Sequence, residues 1–144
     1  MKIGVPKEIK SQENRIGLTP ESVKILTSNG NEVMVENNGG FEAGFYNEQY
    51  KSAGAKIVDK AEDIFNDSEI IVKVKEPQSS EVKMIKENQI VFTYLHLAAA
   101  KELTKGLVDS KSVCIAYETV TDNNGRLPLF CLLYTSPSPR DCTW

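Results

Sequence analysis

Histidine is nearly absent from this chain: His96 is the only one in 144 residues. Cysteine is scarce, and Cys114, Cys131 and Cys142 show no metal-ligand spacing, so no metal site is expected. Three is also an odd count, which argues against a disulfide framework. An excess of basic charge is missing too. Seventeen Lys and Arg stand against 20 Asp and Glu, a net charge of −3, and this excludes the basic face that nucleic acid requires. No apolar run approaches the ~20 residues of a membrane span. The N-terminus, Met1-Lys2-Ile3-Gly4-Val5-Pro6, turns charged at once and lacks the apolar core of a signal peptide. A cytoplasmic protein without a membrane or nucleic-acid partner is therefore expected. Glycine does not form a dinucleotide fingerprint either. Gly39-Gly40 with Gly44 lacks the G-x-G-x-x-G spacing directly between a strand and a helix, so no motif here binds a nicotinamide cofactor.

What is present is an alternation of short apolar runs and amphipathic segments without internal repeats. Residues 2–5 form a first buried strand that stops at Pro6. Thr19-Pro20-Glu21 is a helix start, with a capping hydroxyl, proline at the first helical position and an acid in the first turn; Asn29-Gly30 ends that helix. Further strands are predicted over 32–36, 56–58, 69–75, 90–95 and 113–117. Further helices are predicted over 47–53, 60–66, 79–87 and 101–109, and a turn over 122–125. Several strands are continuous apolar runs rather than alternating ones. That pattern predicts one α/β domain: about six strands in a mostly parallel sheet, with helices on both faces, Rossmann-like or flavodoxin-like.

From residue 130 this logic ends. The run Ser136-Pro137-Ser138-Pro139 fits no regular element, and residues 130–144 read as a non-native, adapter-like tail outside the fold. The domain is expected over residues 1–129.

The segment 90–100 organises the candidate chemistry. It begins as a β-rich strand, reaches His96 and passes into Leu97-Ala98-Ala99-Ala100. An imidazole there is either a half-buried group satisfied by backbone or an acid/base that exchanges a proton near neutral pH. Parallel α/β sheets bind ligands outside the carboxyl ends of their strands. Arg15 follows the first strand, Lys75 ends the fourth and His96 follows the fifth. Arg15 reads either as a solvated loop residue or as a fork for a carboxylate. Lys75 reads either as a surface ion pair with Glu76 or as an ammonium that polarises a carbonyl oxygen. Together the three would suit a small 2-oxo acid, provided the strand order brings them to one edge. Glu118 after the sixth strand reads either as a group that reaches the same edge or, preferred here, as a solvated carboxylate, and Tyr94 reads as a packed ring with its hydroxyl tied to backbone.

The segments at residues 1–8, 13–20, 72–77, 92–98, 117–120 and 127–129 carry a specific resemblance. They read MKIGVPKE, ENRIGLTP, VKVKEP, FTYLHLA, YETV and LPL. Together they resemble the N-terminal part of the alanine dehydrogenase family, over residues 1 to about 129. The resemblance implies a bacterial NAD-dependent enzyme that interconverts L-alanine with pyruvate and ammonia and assembles as a homo-hexamer. It implies that Arg15 and Lys75 bind the pyruvate carboxylate and carbonyl and that His96 is the acid/base. The family's catalytic aspartate and NAD-binding Rossmann domain would lie beyond residue 129, so this chain alone is expected to be inactive in hydride transfer. The related α subunit of nicotinamide nucleotide transhydrogenase and a non-catalytic small-anion-binding domain are the alternatives.

Overall fold

A computed structural model describes residues 1–130. Six parallel strands form one sheet in the order β3-β2-β1-β4-β5-β6. They are β1 (Lys2–Val5), β2 (Glu32–Glu36), β3 (Lys56–Val58), β4 (Ile70–Val72), β5 (Ile90–Thr93) and β6 (Val113–Ala116). The chain starts in the middle, winds outward through β2 and β3, then crosses back to β4 and continues the other way. The reversal leaves a crevice above the carboxyl ends of β1 and β4, where such sheets hold ligands.

Five helices cover the two faces: α1 (Pro20–Ser28), α2 (Asn47–Ser52), α3 (Ala61–Asp67), α4 (Ser79–Val82) and α5 (Lys101–Ser110). On one face, Val23 of α1 and Tyr50 of α2 pack with Ile3, Val5, Val33, Val35 and Val72. On the other, Ile64 and Phe65 of α3 and Leu107 of α5 pack with Ile71 and Val91. Ile71 and Val72 are neighbours in sequence and face opposite cores, as strand geometry requires. Burying such side chains stabilises a fold by about 1.5–3 kcal/mol each. The start of α1 follows its sequence cues. Thr19 Oγ1 accepts the Ser22 N–H at 3.2 Å, Pro20 opens the helix, and Gly30 follows at φ 82°.

Two elements are shorter than their patterns predict, each for a tertiary reason. The strand expected over 69–75 is β4, Ile70–Val72 only. Past Val72 the Lys73 N–H still reaches the Phe92 carbonyl of β5, at 3.0 Å. On the β1 side, however, the N–H groups of Val74 and Lys75 turn to the Glu8 side chain. The helix expected over 79–87 is α4, Ser79–Val82, with Gln78 at its N-cap. Beyond it, Gln89 captures the chain. Its Oε1 accepts the Lys86 N–H at 3.1 Å, and its Nε2 donates to the carbonyls of Phe65 and Ser68, both at 2.8 Å. The turn at 122–125 forms as predicted: Asp122 Oδ1 accepts the Asn124 N–H at 2.8 Å and Gly125 lies at φ 75°.

Cys114 is a free thiol, and Cys131 and Cys142 lie outside the described residues, as does nearly all of the tail expected over 130–144. No described helix is long and apolar enough to cross a membrane.

Candidate functional site

The strand order places β1, β4 and β5 side by side, so the loops after them share one edge of the sheet. Arg15 and Lys75 line a single polar cleft of about 450 Å³ with Lys10, Ser11, Gln12, Glu13 and Asn14. Arg15 also borders a second, mostly apolar cleft of about 380 Å³, which Ile16, Phe45, Val74, Tyr94, Tyr117 and Leu129 help to line. His96 lines neither cleft. Glu76 connects it to the first: one carboxylate oxygen lies 3.4 Å from His96 Nδ1, and the other accepts a hydrogen bond from Lys10. The His96 ring also stacks on Tyr94, centroids 5.9 Å apart and planes 13° from parallel, and so borders the second cleft through that ring.

The loop carrying Arg15 lies directly on the end of β4. Gly17 makes this possible, because a Cβ there would sit 2.5 Å from the Val72 carbonyl oxygen. Within the loop the Arg15 guanidinium meets Glu13 as a fork, Nε to Oε1 at 2.9 Å and Nη2 to Oε2 at 2.8 Å. The Arg15 hydrogen bond holds the Glu13 carboxyl at about 2, well below 4.5. The solvated-loop reading of Arg15 is partly realised. Its side chain is 62% exposed, while the Glu13 side chain is only 6% exposed.

The surface ion pair expected between Lys75 and Glu76 does not form. Glu76 pairs with Lys10 and His96, and Lys75 faces the cleft with its backbone pinned from below. The Glu76 carboxyl is pulled below its ordinary value even though burial opposes this: hydrogen bonds from Lys10, its own backbone N–H and His96 prevail over desolvation.

His96 has a left-handed backbone, φ 50° and ψ 41°, uncommon for a residue with a side chain and costly by about 1–2 kcal/mol. Glu118 compensates. Its Oε1 accepts the N–H groups of Leu95 at 3.1 Å and His96 at 2.9 Å. Glu118 is therefore a cap on the His96 turn, correcting its reading as a solvated carboxylate. Tyr94 behaves as expected: its hydroxyl donates to the Leu129 carbonyl at 2.6 Å.

Beneath the clefts lies a cluster that the sequence reading missed. The Lys73 ammonium is fully buried, 2.7 Å from Glu8 Oε2 and 3.0 Å from Glu81 Oε2. The Tyr117 hydroxyl donates to the Lys73 carbonyl at 3.0 Å, and burial, reinforced by the Glu8 charge, pushes that phenol up to about 12. A signal was available: lysine within the apolar run Ile70-Ile71-Val72-Lys73-Val74 has no place in a two-sided core unless acids meet it. Among the described residues no group of His, Cys, Asp and Glu could hold a metal ion.

The chain is similar to known proteins over the whole of this site. A family described as "Alanine dehydrogenase/PNT, N-terminal domain" matches residues 4–133. An alanine dehydrogenase of Staphylococcus epidermidis is 53% identical over 129 residues, 90% of this chain and 34% of that protein. One from Halomonas elongata is 47% identical over 135 residues, 94% of this chain and 36% of that protein. A solved L-alanine dehydrogenase superposes with a TM-score of 0.86 at 49% identity, covering 89% of this chain and 35% of that one. A transhydrogenase from Sinorhizobium meliloti superposes at 0.80 with 24% identity, covering 86% and 35%, which shows a shared fold. The chain spans about a third of the length of the curated relatives it matches. With the family match covering nearly the whole described chain, it belongs to the alanine dehydrogenase/PNT N-terminal domain family.

Proposed function

We propose that residues 1–129 are the substrate-binding part of an NAD-dependent L-alanine dehydrogenase, with pyruvate, or L-alanine in the reverse direction, held between Arg15, Lys75 and His96. The observation that carries this reading is that Arg15 and Lys75 line one cleft at the sheet's reversal point, with His96 joined to it through Glu76 and Lys10. The relatives' names, alanine dehydrogenases at about half identity, agree with it.

In this reading the Arg15 fork holds the substrate carboxylate, sharing its donors with Glu13 or displacing it. The Lys75 ammonium faces the adjacent oxo group and favours negative charge on that oxygen. His96 gives a proton to that oxygen or takes it back, with Glu76 at Nδ1 fixing the ring's orientation. The apolar cleft beside Arg15, walled by Tyr94, Val74 and Leu129, takes the methyl end.

The described residues do not fit a dinucleotide. Gly40 and Gly44 flank only a three-residue 3-10 turn at Phe41–Ala43 rather than opening a helix. NAD would supply the hydride chemistry, and its site is assigned to the other two thirds of the relatives' length. The homo-hexamer and the cytoplasmic location are part of the same proposal.

The test is titration of this chain with pyruvate, with Arg15→Ala and His96→Ala as controls. Turnover follows in a chain extended to the relatives' full length. Saturable binding weakened at least about ten-fold in Arg15→Ala, the size of one lost charge-assisted contact, is expected. Turnover should collapse in extended His96→Ala. Wild-type-like turnover there would end the role given to His96, and an extended chain that binds pyruvate without turnover would indicate a binding domain.

A further inference from the structure

Two acidic side chains and one basic side chain, Glu8, Glu81 and Lys73, are an expensive way to fill buried space. An apolar trio of similar volume commonly matches or exceeds the stability of such a cluster. An apolar trio cannot accept hydrogen bonds, however, and here the acceptors have a specific destination. Glu8 Oε1 accepts the N–H groups of both Val74 and Lys75, the latter at 3.3 Å. Glu8 Oε2 takes the Lys73 ammonium, and Lys73 in turn holds Glu81, whose other oxygen accepts the Gln78 N–H at 2.9 Å. On the far side of Lys75, Thr93 Oγ1 donates to the Lys75 carbonyl at 2.8 Å. Thr93 and Lys73 are both buried completely at their side chains.

Lys75 lies three residues past the end of β4, where no neighbouring strand on the β1 side supplies ladder bonds. The peptide before its Cα is held by the Tyr94 N–H, which donates to the Val74 carbonyl at 3.2 Å, and by Glu8, which accepts the Lys75 N–H; the peptide after it is held by Thr93, which donates to the Lys75 carbonyl. Fixing both peptides fixes the Cα–Cβ direction and therefore the point on the cleft wall from which the Lys75 side chain starts.

Resting on the site reading above, we infer that Glu8, assisted by Thr93, is a positioning residue that sets the backbone from which Lys75 reaches the substrate's oxo group, with Lys73 bridging Glu8 to Glu81 and so holding the Glu8 carboxylate in place. Glu8 touches no substrate and acts only through the backbone of Lys75.

The experiment compares two probes on the folded chain: pyruvate, and propionate, which has the carboxylate but no oxo group. Glu8→Gln/Lys73→Met/Glu81→Gln keeps an amide oxygen for the two N–H groups. Glu8→Leu/Lys73→Met/Glu81→Leu fills the same space without one. Thr93→Val, nearly isosteric, removes the bond to the Lys75 carbonyl and a long one, 3.5 Å, to the Tyr94 carbonyl. The glutamine variant should keep most of the preference for pyruvate over propionate. The leucine variant should lose about ten-fold in pyruvate affinity, the size of one misplaced charge-assisted contact, with propionate affinity nearly unchanged. Thr93→Val should lose pyruvate affinity selectively by about three-fold, as one neutral hydrogen bond would produce, and it stands as the test by itself if the leucine variant does not fold. An unchanged pyruvate-to-propionate ratio in both folded variants, or equal weakening of both probes, overturns the inference while leaving the site intact. Failure of the unaltered chain to bind pyruvate at all overturns the site reading, and the inference with it.

Discussion

Arg15 closes its guanidinium fork on Glu13, two residues before it, through two hydrogen bonds of 2.9 and 2.8 Å. This is the bidentate geometry in which a guanidinium holds a free carboxylate ligand. Any substrate carboxylate therefore meets an internal competitor at the mouth of the cleft. Glu13→Gln should tighten pyruvate binding about five-fold, since a pair whose guanidinium is mostly in solvent is worth up to ~1 kcal/mol. Calorimetric titration checks this, and weaker binding in the variant would show that Glu13 aims Arg15 instead of competing for it.

The same pair makes an acid-stability prediction. Glu13 titrates at about 2 in the folded chain, against 4.5 when unperturbed, because Arg15 hydrogen-bonds its charged form. A depressed carboxyl stabilises the fold above its unfolded value and loses that contribution as pH falls through the folded one. The contribution should be present above pH 4.5 and gone near pH 2. It should amount to at most ~1 kcal/mol, because solvent screens a guanidinium this exposed. Urea unfolding of the unaltered chain and Glu13→Gln across that window should converge at the acid end; parallel curves would contradict it.

Glu118→Ala should release the left-handed turn at His96. The change leaves two N–H groups without their carboxylate and uncovers the backbone cost at His96, so a loss of roughly 2–3 kcal/mol is expected. Hydrogen exchange at Leu95 and His96 should accelerate selectively. Protection equal to that of the unaltered chain would mean that some other contact holds the turn.

Gly17→Ala tests how closely the Arg15 loop sits on the sheet. The added methyl would meet the Val72 carbonyl oxygen at 2.5 Å, and neither backbone can retreat without moving Arg15 or β4. A loss of about 1–3 kcal/mol is expected, together with weaker pyruvate binding. A variant of unchanged melting temperature would mean that the loop stands off the strand.

Tyr117 should ionise near pH 12, where burial and the Glu8 charge place it. Ultraviolet titration of the unaltered chain against Tyr117→Phe isolates this group. Because the folded value is raised, its contribution to stability is present below pH 10 and is lost as pH rises through about 12. A phenol titrating near 10 would argue that the base of the cleft is open to water.

The local rules written into this chain were legible without coordinates. Thr19-Pro20-Glu21 starts α1, Asn29-Gly30 stops it, and the apolar runs around Val33, Ile71 and Val91 build a parallel sheet covered on both faces. These readings succeed because capping, turn chemistry and hydrophobic period act over a few neighbouring residues. Lys75 reads as the last residue of its strand, whereas it lies three residues past the end of β4.

Partner choice between distant segments was decided only by the tertiary structure. β4 stops at Val72 because Glu8, 66 positions from Val74, takes the next N–H group. Past Val82, where α4 ends, Gln89 ties the chain to α3 and the turn after it. Glu76 faces His96 rather than Lys75, and Glu118 caps a turn rather than meeting water. Periodicity reports which side of an element is apolar, but it does not say which charged group will lie opposite another. That depends on the order of strands across the sheet, set by burial of two whole faces at once, and this order brings β1, β4 and β5 side by side.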